Sequence, residues 1–140
     1  QNLPKYLQKV TQERFHNSLK IQLWSQVSLL FTPEHKNTIA EKGAAAIGAN
    51  TTWSKLKLIH LGSNRIGNEG AVSIGSNTIS TNLARLFLDQ NGIGGKGAAS
   101  IGTNTTWSKL EEFSLHLNRI GDEGGVSIGS NTTWTNLKAI

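Results

Sequence analysis

The sequence predicts an α/β solenoid, in which short strand–helix coils stack along one axis. Three residue types recur every 27 residues in the last hundred residues of the chain. The leucines are Leu56, Leu83, Leu110 and Leu137, the glycines are Gly43, Gly70, Gly97 and Gly124, and the asparagines are Asn64, Asn91 and Asn118. A fixed period of this length is typical of solenoids, which usually bind partners along an extended curved surface.

Residues 1–36 do not repeat, and we expect them to form a terminal cap, which a stack of coils needs. Leu3, Leu7 and Val10 indicate a helix. The apolar residues between Leu19 and Phe31 fit a strand or a helix, and their length favours a helix. Thr32-Pro33-Glu34 then has the pattern of a helix start.

Residues 37–140 form the predicted repeat region, although its first half-repeat is degenerate. One period upstream of the core positions Ile59 and Leu61 stand Thr32 and Glu34, which cannot fill a core. We therefore expect the strand of the first coil to be lost or rebuilt.

Each complete repeat predicts a strand followed by a short helix. The units are Leu56–Asn82, Leu83–Lys109 and Leu110–Asn136, and each opens Leu-x-x-φ-x-Leu-x-x-Asn-x-Ile-Gly, where φ is apolar. The alternation φ-x-Leu predicts a strand with one buried face. Ala71 and Ile74 are three residues apart and share one face of a helix. Asp122-Glu123 suits a helix start, whereas Asn77, Asn104 and Asn131 are predicted left-handed residues at helix ends.

This pattern, followed by a Gly-Ala helix, resembles the leucine-rich repeat family. The long helical half resembles its ribonuclease-inhibitor-like class, which also supplies the sensing arms of NOD-like receptors. The resemblance covers residues 37–140, in which three complete units agree in register. It implies a right-handed solenoid with a concave parallel sheet and convex helices. The absence of cysteine and the basic balance depart from the vertebrate inhibitor.

The amino-acid composition disfavours several classes of function. The net charge of +5 comes without a run of basic residues, so nucleic-acid binding is disfavoured and only weak polyanion binding stays as an alternative. The chain has no cysteine, which excludes disulfides and thiolate metal sites and favours a cytoplasmic location. No apolar run is long enough to span a membrane. The last residues fall partway along a strand, so we expect a longer array or self-association through this edge.

Several repeated polar and aromatic residues are interpreted as structural. We expect Asn64, Asn91 and Asn118 to point inward and to hydrogen-bond backbone groups. Trp53, Trp107 and Trp134 recur in the loops that lead into the strands, where they would seal the edge of the solenoid. Three Asn-Thr-Thr segments, which begin at Asn50, Asn104 and Asn131, match the N-glycosylation pattern, but a repeat copies any such match.

The variable positions of the strands predict the binding surface. Their side chains face away from the core, onto the concave side of the sheet, and mix exposed apolar residues with polar ones, as protein interfaces do. The candidate partner-binding residues are Leu58, His60, Arg85, Phe87, Asp89, Glu112, Ser114, His116 and Leu117.

Catalysis is a weaker hypothesis. Ser114, His116 and Asp89 could combine into a nucleophile triad, but residues i and i+2 of a strand lie about 6.5–7 Å apart, too far for a serine–histidine contact. A hydrogen bond between Asp89 and His116 is instead expected, because they lie in the same column on neighbouring strands. His60 and His116 are two strands apart, too far to share a metal ion.

The sequence therefore predicts a non-enzymatic module that binds a protein partner through its concave face, without cofactor or metal. The alternatives are the sensing arm of a larger NOD-like-receptor-type protein and a weak polyanion binder.

Overall fold

The computed structural model describes Leu29–Leu30 and residues 41–140. In this part of the chain, strands and helices alternate. They are β1 (Leu29–Leu30), α1 (Glu41–Gly48), β2 (Leu58–His60), α2 (Gly67–Gly75), β3 (Arg85–Phe87), α3 (Gly95–Gly102), β4 (Glu112–Ser114) and α4 (Gly121–Gly129). The strands form one parallel sheet in the order of the sequence, and each helix packs against the next. This architecture is the predicted α/β solenoid.

The register of the sheet follows the repeat. Ile59 pairs with Leu86, and Leu86 pairs with Phe113, so one period of 27 residues separates neighbouring strands. Because side chains alternate along a strand, all three point into the core and are at most 4% exposed. The leucines before and after them are also buried, except for Leu115, which is half-buried in the last complete coil.

Strand β1 breaks the period. Leu29 pairs with Leu58 and Leu30 with Ile59, an offset of 29 residues. The first coil therefore rebuilds its strand two residues upstream of the repeat register, away from Thr32 and Glu34. The expectation of a helix around Leu29–Leu30 is wrong, because these residues pair with β2. The rest of the predicted cap lies outside the described residues.

The core extends through the stack from coil to coil. Ala71 and Ile74 of α2 are buried together, as their spacing predicted. Trp107 is fully buried, and its ring lies 6.4 Å from that of Trp134, nearly parallel to it. Phe113 contacts Trp134 edge-on. The tryptophans thus join the core rather than merely cover its edge, which explains how a chain of low apolar content fills its interior.

Glycines at the helix ends set the close spacing of the helices. A Cβ atom at Gly75 would lie 2.7 Å from backbone atoms of Ser100 in the next helix, and one at Gly102 would lie 2.6 Å from the backbone nitrogen of Ile128. Real Cβ atoms do not approach backbone this closely. Only glycine allows the helices to stack at this distance.

An asparagine ladder runs beside the sheet, as predicted. The Oδ1 atom of Asn91 accepts hydrogen bonds from the backbone N–H groups of Asn64 and Ile66 in the preceding coil. Its amide group donates to the carbonyls of Leu61, Leu88 and Asp89. Asn118 repeats this arrangement one coil later. Each amide therefore satisfies backbone groups of two coils at once.

A second asparagine ladder, at the helix ends, corrects the prediction of left-handed caps. Asn77, Asn104 and Asn131 do not have positive φ angles, and the helix-capping residues are Ser76, Thr103 and Ser130. Instead, the amide of Asn104 donates to the carbonyls of Gly75 and Asn77 in the preceding coil. Its Oδ1 atom accepts from the N–H groups of Thr106 and Trp107.

This ladder also explains the three sequence matches to N-glycosylation sites. Asn50 and Asn104 are each 6% exposed, and the amide nitrogens of Asn104 and Asn131 are engaged with backbone carbonyls. Asn77 occupies the same position and makes the same bonds, although Ile79 removes the glycosylation pattern there. The Asn-Thr-Thr segments therefore recur because the ladder needs asparagine.

None of the helices that the structure describes has the length and apolar character needed to cross a lipid bilayer.

Candidate functional site

The sheet has one face on the core and one face away from the helices, which we call the concave face. On it, the strand register places His60, Phe87 and Ser114 in one row across β2, β3 and β4. Asp89 and His116 follow two residues further along two of these chains. We call these five residues the concave patch. All nine predicted site residues lie on or beside these strands, so the repeat alone brings them together.

An aromatic pair forms one side of the concave patch. The rings of His60 and Phe87 lie 5.2 Å apart and are tilted by 53°. Burial lowers the pKa of His60 below its ordinary value of 6.5, because a charged imidazole would lose hydration there. The carboxylate of Asp89 opposes this effect on the pKa without overcoming it. His60 is therefore a neutral, half-buried ring that supports Phe87.

Asp89 organises the other side of the concave patch. Its Oδ1 atom accepts a hydrogen bond from the hydroxyl group of Ser114 and another, at 3.0 Å, from the backbone N–H of His116. The expected interaction between Asp89 and the imidazole of His116 is thus replaced by one with its backbone. The serine proton points to the carboxylate rather than to a histidine base, which is not the arrangement of a nucleophile triad.

The apolar candidates differ in exposure. Leu58 is only 7% exposed, so the prediction that it lies open on the concave face is wrong; it is buried yet outside the core cluster, beside Leu29 in the register. Phe87 is half-buried against His60. Leu117 is 66% exposed and has a positive φ of 56°. It is a large apolar side chain exposed at this end of the site.

The charged candidates lie where the strands begin. Arg85 is exposed and Glu112, its register neighbour on β4, is half-buried. The exposed Lys57 precedes Leu58, the register partner of Arg85, and its carbonyl accepts a hydrogen bond from the backbone N–H of Arg85 at 3.0 Å. Within residues 41–140, neither Lys57 nor Arg85 forms an ion pair. Lys57 was missed from the sequence, because only the pairing of β2 with β3 brings its backbone beside that of Arg85.

The predicted site residues did not include Ser63 and Gln90. They occupy the same repeat position as Leu117 and share its left-handed backbone, with φ angles of 60° and 53°. The hydroxyl of Ser63 donates to Oε1 of Gln90 at 3.1 Å. The signal was available in the 27-residue spacing of the three residues, but nothing in their types indicates a left-handed turn.

Among the described residues, no group of three or more histidine, aspartate or glutamate side chains converges in a way that could hold a metal ion. The site thus consists of an aromatic pair, a carboxylate–hydroxyl pair, an exposed leucine and a basic edge. Such an arrangement can contact a surface with both apolar and hydrogen-bonding groups.

Comparisons with known proteins agree with this fold. A family model described as "Leucine Rich repeat" matches residues 54–75 and 108–129. No curated protein is significantly similar to the chain in sequence. The solved structure of "Leiomodin-1 Actin-Binding Site 2 (ABS2)" is similar to the chain with a TM-score of 0.57 and 24% identity, over 83% of this chain and 70% of that one. The ribonuclease-inhibitor-like class and the sensing-arm role stay predictions. The repeat, the stacked strand–helix coils and these matches identify the fold as an α/β leucine-rich repeat solenoid.

Proposed function

We propose that the chain is a non-enzymatic module that binds a protein partner through its concave face. The observation that carries this proposal is the composition of the concave patch. Phe87 is supported by His60, and polar groups of Asp89 and Ser114 lie beside it on the same sheet. An aromatic anchor surrounded by polar groups is typical of binding hot spots.

The framework under the patch favours binding over catalysis. Strand residues that face the core are buried leucine, isoleucine and phenylalanine, and their outward neighbours vary from coil to coil. A rigid sheet with varied outward side chains loses little conformational entropy when it binds a flat or convex partner. The Ser114 hydroxyl is directed to Asp89, so it is not hydrogen-bonded to a histidine base as a triad serine is.

Actin is the first partner that we propose to test, because the similar solved structure is an actin-binding site. The test is sedimentation of the chain with filamentous actin and a separate titration of fluorescent monomeric actin. The concave variant Arg85→Ala/Phe87→Ala is compared with the control variant Glu69→Ala/Lys96→Ala, which removes an exposed ion pair of the helices. The proposal for actin is supported if the concave variant no longer binds actin and the control variant still does.

If neither form of actin binds, the same three chains are immobilised and used to capture proteins from a native lysate. A protein retained by the wild type and the control variant, but not by the concave variant, would be the partner. Equal capture by all three chains would contradict a concave binding site.

A second candidate, binding of an anionic partner, is favoured by the exposed, unpaired Lys57 and Arg85 at the edge of the concave face. Each of these cations attracts an anion, and neither is neutralised by an ion pair within residues 41–140. We expect binding of a polyanion such as heparin to weaken steeply between 50 and 200 mM salt, as roughly expected for counterion release. Binding of a protein partner around Phe87 would depend much less on salt.

A further inference from the structure

The sequence holds one Asn-Gly pair, Asn91-Gly92, and its asparagine belongs to the ladder beside the sheet. We infer that this pair is a deamidation site that the fold protects. The backbone nitrogen of Gly92 attacks the Asn91 side chain only when this part of the ladder opens, and the modified chain cannot rebuild the ladder. A transient opening of the coil therefore becomes permanent once the reaction has occurred.

The reaction needs no reactant other than water, and asparagine amides are among the thermolabile groups of proteins. The Gly92 nitrogen loses its proton and bonds to Cγ of Asn91, while the bond from Cγ to the amide nitrogen breaks and ammonia leaves. Water then opens the cyclic imide at either of its two carbonyl carbons. One opening leaves aspartate at position 91. The other leaves isoaspartate, in which the backbone runs through the side-chain carbon atoms.

The residue that follows each asparagine distinguishes Asn91 from its ladder equivalents. The other two asparagines of this ladder are each followed by arginine, in the pairs Asn64-Arg65 and Asn118-Arg119. A side chain at this position shields the backbone nitrogen, whereas glycine allows close approach to the backbone. Asn91 is therefore the reactive member of the ladder.

Among the described residues, no contact requires glycine at position 92. A Cβ atom there would meet nothing within 4 Å. The backbone of Gly92 is left-handed, with a φ of 68°, but Arg65 has the same conformation at the equivalent position, with a φ of 56°. The variant Gly92→Arg therefore removes the reactive pair and leaves the ladder in place.

The ladder restrains the Asn91 amide in the folded chain. Asn91 is 2% exposed, and its Oδ1 atom accepts two hydrogen bonds from the backbone of the preceding coil. Its amide nitrogen donates to three carbonyls at 2.7–3.1 Å, those of Leu61, Leu88 and Asp89. The attack makes Cγ tetrahedral and expels this nitrogen, so these three bonds must break first. The reaction rate in the folded chain should therefore follow the population of the opened coil.

Neither product can restore the ladder. A carboxylate at position 91 can accept the two hydrogen bonds of Oδ1, but it cannot donate the other three and would face three carbonyl oxygens. An uncompensated charge in a buried position is strongly destabilising. Isoaspartate also lengthens the backbone by one carbon atom. Because one of the lost bonds ends on Asp89, the damage reaches the concave patch.

The first test compares deamidation rates within the 140-residue chain. The chain is incubated at mildly alkaline pH, in buffer and in guanidinium chloride, and the tryptic peptides of the three ladder asparagines are followed by mass spectrometry. In guanidinium chloride, Asn91 should react at least about tenfold faster than Asn64 and Asn118. In buffer, the rate of Asn91 should be at least about tenfold lower than in guanidinium chloride. Equal rates of Asn91 in the two solutions would overturn the inference, and so would equal rates of the three asparagines in guanidinium chloride.

The second test measures whether the modified chain refolds. Wild type and Gly92→Arg are returned to buffer after long incubation in guanidinium chloride, and each urea midpoint is compared with that of the same chain refolded at once. The deamidated wild type should stay unfolded or show a lower midpoint, whereas Gly92→Arg should recover its own. Asn91→Asp, made directly, should lower the midpoint without any incubation. Because wild type refolded at once is a reference of its own, the test does not depend on the folding of Gly92→Arg. A deamidated chain with an unchanged midpoint, or an equal loss in Gly92→Arg, would overturn the inference.

Discussion

At the scale of single residues, the side-chain amides of asparagine join neighbouring coils through hydrogen bonds to backbone groups. Asn91 is 2% exposed and makes five hydrogen bonds to backbone groups of its own coil and the one before it. An aspartate could accept the same two bonds but could not donate the other three. The position therefore needs both the accepting oxygen and the donating NH2 group of an amide, which explains why asparagine recurs there.

The second asparagine ladder gives a prediction that distinguishes a structural role of the Asn-Thr-Thr segments from a role in glycosylation. Asn104→Ala should lower the free energy of unfolding by about 2–5 kcal/mol, because it leaves buried backbone groups without partners. Thr106→Ala also destroys the Asn-Thr-Thr pattern but keeps the amide, so it should cost less than about 1 kcal/mol. Urea unfolding followed by tryptophan fluorescence measures both. Equal losses from the two variants would contradict a structural role of Asn104.

His60 predicts how stability changes with pH. Its pKa is lowered in the folded chain, so below the ordinary value of 6.5 the unfolded chain binds more protons than the folded one. The stability contribution of neutral His60 is therefore complete above this pH and decreases as the pH falls. Between pH 7.5 and pH 5, the wild type should lose more stability than His60→Gln. If both chains lose the same amount, burial does not control the pKa of His60.

At the scale of elements, the helices show what each coil requires from the next. Helices α2, α3 and α4 have the same length within one residue and end in the same repeat position, at glycine. Short helices of this kind are unstable alone, and their stability comes from packing. The close approach of one helix end to the next backbone is therefore a condition for the stack.

This condition predicts opposite effects of one substitution at two equivalent sites. Gly102→Ala should destabilise the chain by about 1–3 kcal/mol, because its Cβ atom would collide with the backbone around Ile128. Gly129→Ala, in the open position, should stabilise it by up to about 1 kcal/mol through better helix propensity. Both changes are read from urea midpoints. Two effects of the same sign would mean that helix spacing is not set by these glycines.

The elements also show how far sequence reasoning could reach. The strand positions and the burial of Ile59, Leu86 and Phe113 follow directly from the repeat, because a two-residue alternation within a fixed period leaves one solution. Asn77 was misinterpreted because asparagine at a helix end is locally a common left-handed cap, and its true partners are 27 and 29 residues away.

Two further differences come from the first coil, where the repeat fails. The displacement of β1 by two residues cannot be predicted once Thr32 and Glu34 break the pattern. The burial of Leu58 is not predicted by the 27-residue pattern, which places this residue on the outward face of its strand. For the candidate site, the sequence predicts which residues share a face, but the pairings His60–Phe87 and Asp89–Ser114 require coordinates.

At the scale of the whole molecule, the residues that hold the coils together differ from the residues that face outward from the sheet. The core and both asparagine ladders recur in every complete coil, so they hold the sheet in a fixed shape. The outward strand residues, in contrast, vary from coil to coil. A change on the concave face should therefore alter binding with little effect on folding, whereas a change in the core should do the reverse.

The dissociation constant of the captured partner, measured for concave and core variants together with their unfolding free energies, tests the account most directly. Arg85→Ala/Phe87→Ala should weaken binding at least about tenfold, because it removes the aromatic anchor and its neighbouring charge. The chain should remain folded. Leu86→Ala, which is fully buried, should instead cost about 2–5 kcal/mol of stability through a core cavity. A concave double variant that binds with wild-type affinity would contradict the concave face as the binding surface.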